Sequence, residues 1–246
     1  MKTEYPIRLQ VYLARCGAGS RRSCEGLISS GRVTINTKVV TELGTKVNEG
    51  DIVYVDDILC EPEERDWYFL LNKPRGYVCT NSDPHEKVYA KSLIDVPEQD
   101  LLFSIGRLDK DSQGLIIFTN DGDFANLIMH PSSETEKEYV VRTDRDIIKK
   151  DMDDAYRGLV KPYRIKSYKI ISKREARIVL TEGKNRELRR MMEALGYEVK
   201  QLTRIRIGHI EMGDLPTGKY RRLTRQEVAQ LREDALGRKF KDGHSN

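Results

Sequence analysis

Residues 101–119 read LLFSIGRLDKDSQGLIIFT, and this stretch places a polar loop between two apolar runs. Short apolar runs that are bounded by glycine and polar residues are typical of buried β-strands. The loop carries Asp109 and Asp111, two residues apart, between Gly106 and Gly114. Three chemical interpretations are open: a calcium-binding loop, a pair of acid–base carboxylates, and a loop that presents one nucleophilic aspartate.

The calcium interpretation fails at one ligand position. An EF-hand loop needs oxygen ligands at positions 1, 3 and 5, glycine at position 6 and glutamate at position 12. The sequence from Asp109 to Gly114 meets the first four requirements, but position 12 is Asn120, which cannot offer two carboxylate oxygens. The flanking segments are also predicted to be strands, whereas an EF-hand needs helices. We therefore expect no metal in this loop.

A pair of acid–base carboxylates is also disfavoured. The two carboxylates of a glycosidase lie roughly 5–9 Å apart across a sugar, whereas residues two apart in a turn tend to point apart. A single nucleophilic aspartate remains, and a nearby cation would keep it ionised. Candidate cations follow in the segment KNRELRRMM, where Arg186, Arg189 and Arg190 lie opposite the apolar helix face. A solvated helix face fits that spacing equally well.

The composition favours a protein that binds a polyanion. The chain has 246 residues, enough for one or two domains, with 43 Lys and Arg against 39 Asp and Glu. Residues 183–241 contain 15 basic and 8 acidic residues, so the positive charge is concentrated late in the chain. Such a segment makes nucleic acid the first candidate partner, although solvated faces are an equally good interpretation of charge alone.

The N-terminus and the cysteines point to a soluble, cytoplasmic protein with reduced thiols. The four cysteines have no C-x-x-C spacing, so neither a zinc site nor a disulfide framework is expected. The segment MKTEYPIRLQ lacks the apolar stretch of a signal peptide. No run approaches the ~20 apolar residues that a membrane span needs.

The hydrophobic patterning predicts an α+β protein with two domains. Residues 1–60 form a small domain with two helices, the second capped by Ser20. Residues 61–66 read as an acidic linker that contains Pro62. Residues 67–235 form a larger domain with a mixed, mainly antiparallel sheet and three helices, and 236–246 form a polar tail that is expected to be disordered. Strands are predicted at 33–35, 52–55, 68–74, 101–105, 115–119, 137–143, 167–172, 176–181 and 199–208.

Several segments together resemble a known enzyme family. The stretch GRLDKDSQGLIIFTNDG from Gly106 resembles the signature of pseudouridine synthases, in which G-R-L-D carries the catalytic aspartate. EKEYVV (136–141) resembles the family's K-x-Y segment, and LTEGKNRELRRMMEALGYEVKQLTRIRIG (180–208) resembles its late basic segment. LNKPRGYVCT (71–80) resembles the strand that opens the catalytic domain, and residues 20–40 resemble an S4 RNA-binding domain.

The resemblance implies a role for particular residues. Asp109 would be the catalytic residue, with Asp111 and Arg107 shaping its loop. Tyr139 would stack on the target base, and Leu202 would line the base pocket together with Arg107. Arg189, or its neighbour Arg190, would be the cation that pairs with the catalytic aspartate. Residues expected to contact RNA are Arg8, Arg15, Arg21, Arg22, Lys38, Lys184, Arg186 and Arg190.

The implied reaction is an isomerisation of uridine to pseudouridine, which needs no redox cofactor, nucleotide or metal. The expected partner is ribosomal RNA or a ribosomal assembly particle, bound by a monomer without membrane attachment. Asp83, Pro84 and the segment 129–132 resemble the branch that modifies large-subunit rRNA, so 23S rRNA is the first substrate. Small-subunit rRNA, tRNA and a non-catalytic role in ribosome assembly remain as alternatives.

Overall fold

The computed structural model describes residues 4–79 and 88–242, with side chains up to Gly237. Asp83 and Pro84, on which the resemblance to the large-subunit branch partly rests, lie outside the described residues. The chain divides into two compact units. The first extends to Trp67 and also includes Val96–Phe103, whereas the second begins at Tyr68. The sequence predicts that residues 96–103 belong to the second domain, since no local pattern indicates their grouping with the first.

The first unit is a helix pair joined to short strands. Leu9, Tyr12 and Leu13 are buried, as the helical spacing predicts. The second helix begins after Ser20, whose side chain accepts a hydrogen bond from the Ser23 backbone N–H at 3.2 Å. The four strands of this unit that the sequence does not predict contain only two or three residues each, too few to show alternation. The elements are β1 (Ile7–Arg8), α1 (Leu9–Arg15), α2 (Arg21–Ser29), β2 (Val33–Ile35), β3 (Lys38–Val40), β4 (Lys46–Val47), β5 (Val53–Val55) and β6 (Ile58–Leu59).

The core of the first unit is small. It combines apolar residues from both helices, such as Leu9 and Ile28, with Val33 and Val53 from the strands. The Tyr12 hydroxyl donates a hydrogen bond to the Cys60 carbonyl at 3.0 Å, which ties α1 to the end of the strand region. Such a unit has the size of a binding module.

The second unit contains most of the predicted strands. Their observed bounds agree with the predicted ranges to within two residues, and the 137–143 and 167–172 strands agree at both ends. The elements are β7 (Tyr68–Lys73), β8 (Phe103–Ile105), β9 (Gln113–Thr119), α3 (Gly122–Met129), β10 (Lys137–Thr143), α4 (Lys149–Tyr156), β11 (Ser167–Ser172), β12 (Glu175–Leu180), α5 (Glu187–Ala194), β13 (Val199–Ile207), β14 (Ile210–Glu211), β15 (Tyr220–Arg222) and α6 (Arg225–Asp242).

One mixed sheet organises the second unit. Within the described residues it has nine strands, of which β11, β12, β10, β13, β9, β7 and β15 are successive neighbours. β13 pairs with β10 in an antiparallel arrangement and with β9 in a parallel one. The mainly antiparallel sheet is as predicted. The middle strands β7 and β9 are inaccessible along most of their length, which explains why they read as continuous apolar runs.

Gly114 allows β9 to approach β13 closely. Its φ of +105° is unfavourable for other residues, and a Cβ atom there would lie 2.2 Å from the Arg204 carbonyl oxygen. Gly114 is also the register partner of Arg204. This close approach holds the end of the loop that carries Asp109 and Asp111 against β13, the strand that contains Leu202 and Arg204.

Two helices differ from the sequence prediction. α4 was not predicted, because only Met152 and Ala155 are buried in an otherwise polar segment, too few to show a helical period. α6 begins with the predicted capping box, in which the Glu227 backbone N–H donates to Thr224 Oγ1 at 3.1 Å. The helix then continues to Asp242, into the segment for which the sequence predicts a polar, disordered tail. No proline interrupts this segment, and elongation of an existing helix is favourable.

Candidate active site

A cavity of about 820 Å³ opens in the second unit beside the loop 106–112. The loop that joins β8 to β9 forms one wall and supplies Asp109. Strands β10 and β13 supply Tyr139 and Leu202, and the segment before α5 supplies Arg186. The fold therefore brings together residues that are up to 93 positions apart in the sequence.

The two aspartates of the loop have different surroundings. Asp111 accepts two hydrogen bonds from Arg186, each of 3.1 Å, and Arg189 Nε lies 3.2 Å from its Oδ2. Asp109 lines the cavity and lies 3.7 Å from Arg186 Nη1. Partial burial raises the pKa of Asp111, but the Arg186 hydrogen bonds and the charge of Arg189 outweigh this effect and lower the pKa. Asp111 is thus held as an ionised anchor of the loop.

The ion pair expected for Arg189 is different in the structure. Arg189 contacts Asp111, and its nitrogens also donate to the carbonyl oxygens of Asp111 and Val199 at 3.0 Å. The arginine within ion-pair distance of Asp109 is Arg186, for which the sequence predicts RNA binding. The reason is geometric: Arg189 lies within the helix and is tied to the adjoining backbone, whereas Arg186 precedes α5 with a φ of +50° and reaches both carboxylates.

Tyr139 and Leu202 form apolar parts of the cavity wall. Both are buried, with 8% and 6% of their surface exposed, yet both line the cavity. Tyr139 is the register partner of Arg204 across β10 and β13, next to an irregularity between Glu138 and Tyr139. Arg107 is exposed and lines the cavity at its edge. An aromatic ring and an aliphatic side chain beside a carboxylate suit a planar ring that has left its stack.

Comparison with known proteins identifies the family. A sequence model described as RNA pseudouridylate synthase matches residues 67–194, slightly more than half of the chain. The chain belongs to the RNA pseudouridylate synthase family. An S4 domain model matches residues 7–53, within the first unit. The family and the S4 domain that the sequence motifs indicated are therefore confirmed.

Relatives of this enzyme resemble it over nearly its whole length. Ribosomal large subunit pseudouridine synthase B from Bacillus subtilis is 39% identical over 236 residues, which cover 92% of this chain and 95% of that protein. Dual-specificity RNA pseudouridine synthase RluF from Shigella flexneri is 40% identical and covers 94% and 80%. A crystal structure of a pseudouridylate synthase superposes with a TM-score of 0.67 at 29% identity, over 92% of this chain and 99% of that one.

Two cations of the synthase's cavity were not singled out from the sequence. Lys137 and Arg204 both line it. Burial and the charge of Arg204 together lower the pKa of Lys137 to about 8, against an opposing effect of Glu187. Lys137 lies within the quoted K-x-Y segment, and Arg204 lies two residues after Leu202. The alternation of a strand would have indicated that Arg204 shares a face with Leu202.

The residues expected to contact RNA are mostly exposed. In the first unit Arg8, Arg21, Arg22 and Lys38 are exposed, and Arg15 is half-buried. In the second unit Lys184, Arg186 and Arg190 are exposed, and the first two line the cavity. Exposed cations of this kind suit contacts with phosphate groups.

The described residues contain neither a metal-binding cluster nor a membrane-spanning helix. Between residues 4 and 79 and between 88 and 242, no group of three or more His, Cys, Asp or Glu side chains is placed to hold a metal ion. In the same ranges, no helix is both long and apolar enough to cross a membrane.

Proposed function

We propose that this enzyme converts a uridine of 23S ribosomal RNA to pseudouridine, and that Asp109 is its catalytic carboxylate. The observation that carries the proposal is the position of Asp109, which lines a cavity whose other walls include Tyr139 and Leu202. The cavity suits one extruded nucleotide, because apolar walls and an aromatic ring offset part of the cost of unstacking a base.

The environment of Asp109 suits a reactive carboxylate. Its side chain keeps 27% of its surface exposed, and Arg186 lies at 3.7 Å, so a cation is near without a close hydrogen bond that would occupy both oxygens. Asp111 takes the close contacts with Arg186 and Arg189. An ionised carboxylate of this kind can act as a nucleophile or as a base. The division of roles predicted for the two aspartates is consistent with these contacts.

The relatives support ribosomal RNA as the substrate. The Bacillus subtilis relative is a large-subunit enzyme by name and is matched over almost its full length. The S4 domain match supports a separate RNA-binding module. The Shigella flexneri relative is called dual-specificity, so tRNA and 16S rRNA belong in the same experiment as alternative substrates.

The test of the catalytic assignment is the variant Asp109→Asn, which keeps the size of the side chain and removes its charge. We expect a loss of pseudouridine formation of roughly 10⁴-fold or more, as for other catalytic residues, with nearly unchanged RNA affinity. Carbodiimide mapping of pseudouridine in 23S rRNA, 16S rRNA and tRNA from cells without the gene, complemented by each variant, measures both the site and the loss.

Asp214→Asn is the matched control, because Asp214 is an exposed aspartate of the same unit and does not line the cavity. It should restore the modification fully. Restoration by Asp109→Asn would refute the catalytic assignment. A missing pseudouridine in 16S rRNA or tRNA alone would refute the 23S assignment and leave the role of Asp109 intact.

A further inference from the structure

Arg204 places a buried cation in the cavity wall and leaves one nitrogen without a partner. Only 3% of the residue is exposed. Its Nε donates a hydrogen bond to the Leu115 carbonyl at 2.6 Å. In the part of the chain that the structure describes, Nη2 is buried without a hydrogen-bond partner, and no carboxylate forms an ion pair with the guanidinium. A buried donor in this state needs a physical explanation.

Lys137 adds a second cation to the same cavity. Its Nζ donates to the Thr135 carbonyl at 3.1 Å. Glu187 is the acidic residue whose charge acts on Lys137, whereas Arg204 repels it. A buried cation without a carboxylate partner is costly, so a fold that keeps Arg204 in this state, with a second cation beside the same cavity, is suited to a ligand that brings electron-rich atoms.

The position of Arg204 favours a base over a phosphate group as its partner. Arg107, Lys184 and Arg186 are exposed residues at the edge of the cavity and are therefore open to the RNA backbone. Arg204 is instead buried in a cavity wall that also includes the apolar residues Leu202 and Ile117. An extruded nucleotide keeps its phosphates near solvent while its base enters the pocket.

We propose that Arg204 is a further catalytic residue, whose Nη2 donates a hydrogen bond to a carbonyl oxygen of the extruded uracil and stabilises the negative charge that this oxygen gains during the reaction. This inference rests on the proposed function. Arg204 acts as a preorganised hydrogen-bond donor to an oxygen that gains negative charge, and Lys137 adds to the positive potential at that oxygen.

The charge arises when the N1–C1′ bond breaks. The electron pair of that bond stays with uracil, and the anion shares its charge among N1, O2 and O4. C1′ meanwhile bonds to an oxygen of Asp109, or forms a double bond to C2′ after Asp109 takes the C2′ proton. The base then turns and C5 bonds to C1′. In the first case the bond between C1′ and Asp109 breaks and the carboxylate leaves with its electron pair, and in the second case Asp109 returns the proton to C2′. The proton lost from C5 ends on N1, so the net change is an isomerisation.

The same requirement holds if Asp109 first adds to the base. Addition of the carboxylate to C6 pushes the electron pair of the C5–C6 double bond towards O4. Negative charge therefore grows on a carbonyl oxygen by each path, and the role of Arg204 does not depend on which path the enzyme follows.

The experiment compares Arg204→Met, Arg204→Lys and wild type on a synthetic RNA fragment that spans the mapped target. One fragment carries uridine at that position and the other carries 5-fluorouridine, whose fluorine withdraws electrons and supports charge on the base. Consumption of the target nucleoside under single turnover, at saturating enzyme, is measured by liquid chromatography of digested RNA. With uridine, Arg204→Met should slow the reaction about 100- to 1,000-fold, as for loss of an oxyanion donor, while RNA affinity changes by less than about twofold.

With 5-fluorouridine the loss should shrink to about a tenth of that or less, because the fluorine takes over part of the charge stabilisation. Arg204→Lys keeps the charge and should lose less than Arg204→Met on uridine. An equal loss on both fragments would indicate a structural role and overturn the proposal, as would a rate within about threefold of wild type. If Arg204→Met fails to fold in a thermal melt, the ratio of losses for Arg204→Lys on the two fragments decides in the same way.

Arg206→Met is the matched control. Arg206 lies on the same strand and is largely buried, but it pairs with Glu136 and Glu138 and does not line the cavity. It should lose stability without a difference between the two fragments. If wild type modifies only 16S rRNA or tRNA, the substrate proposal fails, and the Arg204 variants are then judged on a fragment of that RNA.

Discussion

Both the first unit and the cavity of the second unit contain basic side chains, but the exposure of these side chains to solvent differs. Arg8, Arg21 and Arg22 of the first unit are exposed, on short elements around a small core. Lys137 and Arg204 line the cavity of the second unit, and Arg204 is almost fully buried. Charges in water are screened by salt, whereas charges in a low-dielectric site act strongly on nearby atoms. The exposed cations therefore suit affinity, and the buried ones suit the rate of reaction.

The buried position of Arg204 places stricter requirements on the fold of the second unit than an exposed position would. An exposed arginine can be placed by almost any surface helix. A buried arginine needs a backbone that brings it to the site and a partner for at least some of its donors. Here the Leu115 carbonyl is that partner, and the close approach of Gly114 to Arg204 brings the two strands together.

The largest effect in the comparison is expected for Gly114→Ala. A Cβ atom 2.2 Å from the Arg204 carbonyl oxygen forces β9 and β13 apart, and the φ of +105° adds strain. We expect the free energy of unfolding in urea to fall by about 3 kcal/mol or more. Pseudouridine formation should also be lost, because the loop 106–112 and Arg204 both shift when the two strands move apart.

Gly213→Ala provides the control for backbone strain alone. Gly213 also has a positive φ, of +52°, but an added Cβ would meet nothing within 4 Å. The expected cost is about 1 kcal/mol. Equal losses for the two variants would mean that close strand approach at Gly114 is unimportant.

A smaller effect is expected for the double variant Arg21→Gln and Arg22→Gln in the first unit. Each lost phosphate contact should reduce the dependence of the logarithm of RNA affinity on the logarithm of salt concentration by roughly 0.7–0.9. The single-turnover rate at saturating enzyme should not change. Filter binding over a range of salt concentrations measures the slope.

Arg174→Gln is the control for this variant, because Arg174 is an exposed arginine of the second unit that already pairs with Asp146. It should leave the salt dependence close to that of wild type. If the double variant changes the reaction rate, the claim that these exposed cations contribute only to RNA affinity is wrong.

A further prediction concerns stability and pH at Lys137. Because burial and Arg204 lower the pKa of Lys137 from 10.5 to about 8, the unfolded chain binds more protons between these values. The contribution of Lys137 to the free energy of unfolding therefore rises with pH from about 8 to about 10.5. Lys137→Met should be more stable than wild type near neutral pH, where the buried charge is unfavourable, and this advantage should shrink as the pH rises through that window.

Urea denaturation of both proteins at several pH values measures the difference. The exposed Lys173→Met variant supplies the baseline for removing a lysine. The groups that act on Lys137 are Arg204 of β13 and Glu187 of α5, so the same series in an Arg204→Met background should show a smaller change with pH. An advantage that grows with pH would contradict the assignment.

Local chemistry made several elements predictable. Ser20 at the start of α2 and the Thr224–Glu227 capping box are short-range hydrogen-bond patterns, and both occur in the structure. The apolar runs of β7 and β9 are long enough to stand out from the polar segments around them. Polar α4 escaped detection because its two buried residues, Met152 and Ala155, give too weak a period.

The site was predictable only as a set of residues, without the pairing between them. The motifs singled out Asp109, Tyr139 and Leu202, which all line one cavity. They did not indicate that Arg189 contacts Asp111 and that Arg186 is the arginine near Asp109. Arginine side chains are long, so the carboxylate that each one reaches depends on where the backbone places it. Arg186, for example, precedes α5 with a φ of +50°.

The sequence by itself determined the family, the two kinds of domain and the identity of the loop that carries Asp109, because motifs, caps and hydrophobic periods are local properties of the chain. Tertiary structure decided which charges are buried and which carboxylate each arginine meets. Arg204 looks in the sequence like any other member of a basic segment. Only the packing of β13 against β9 and β10 excludes water from it, and burial is what turns an ordinary cation into a group that can act on a bound base.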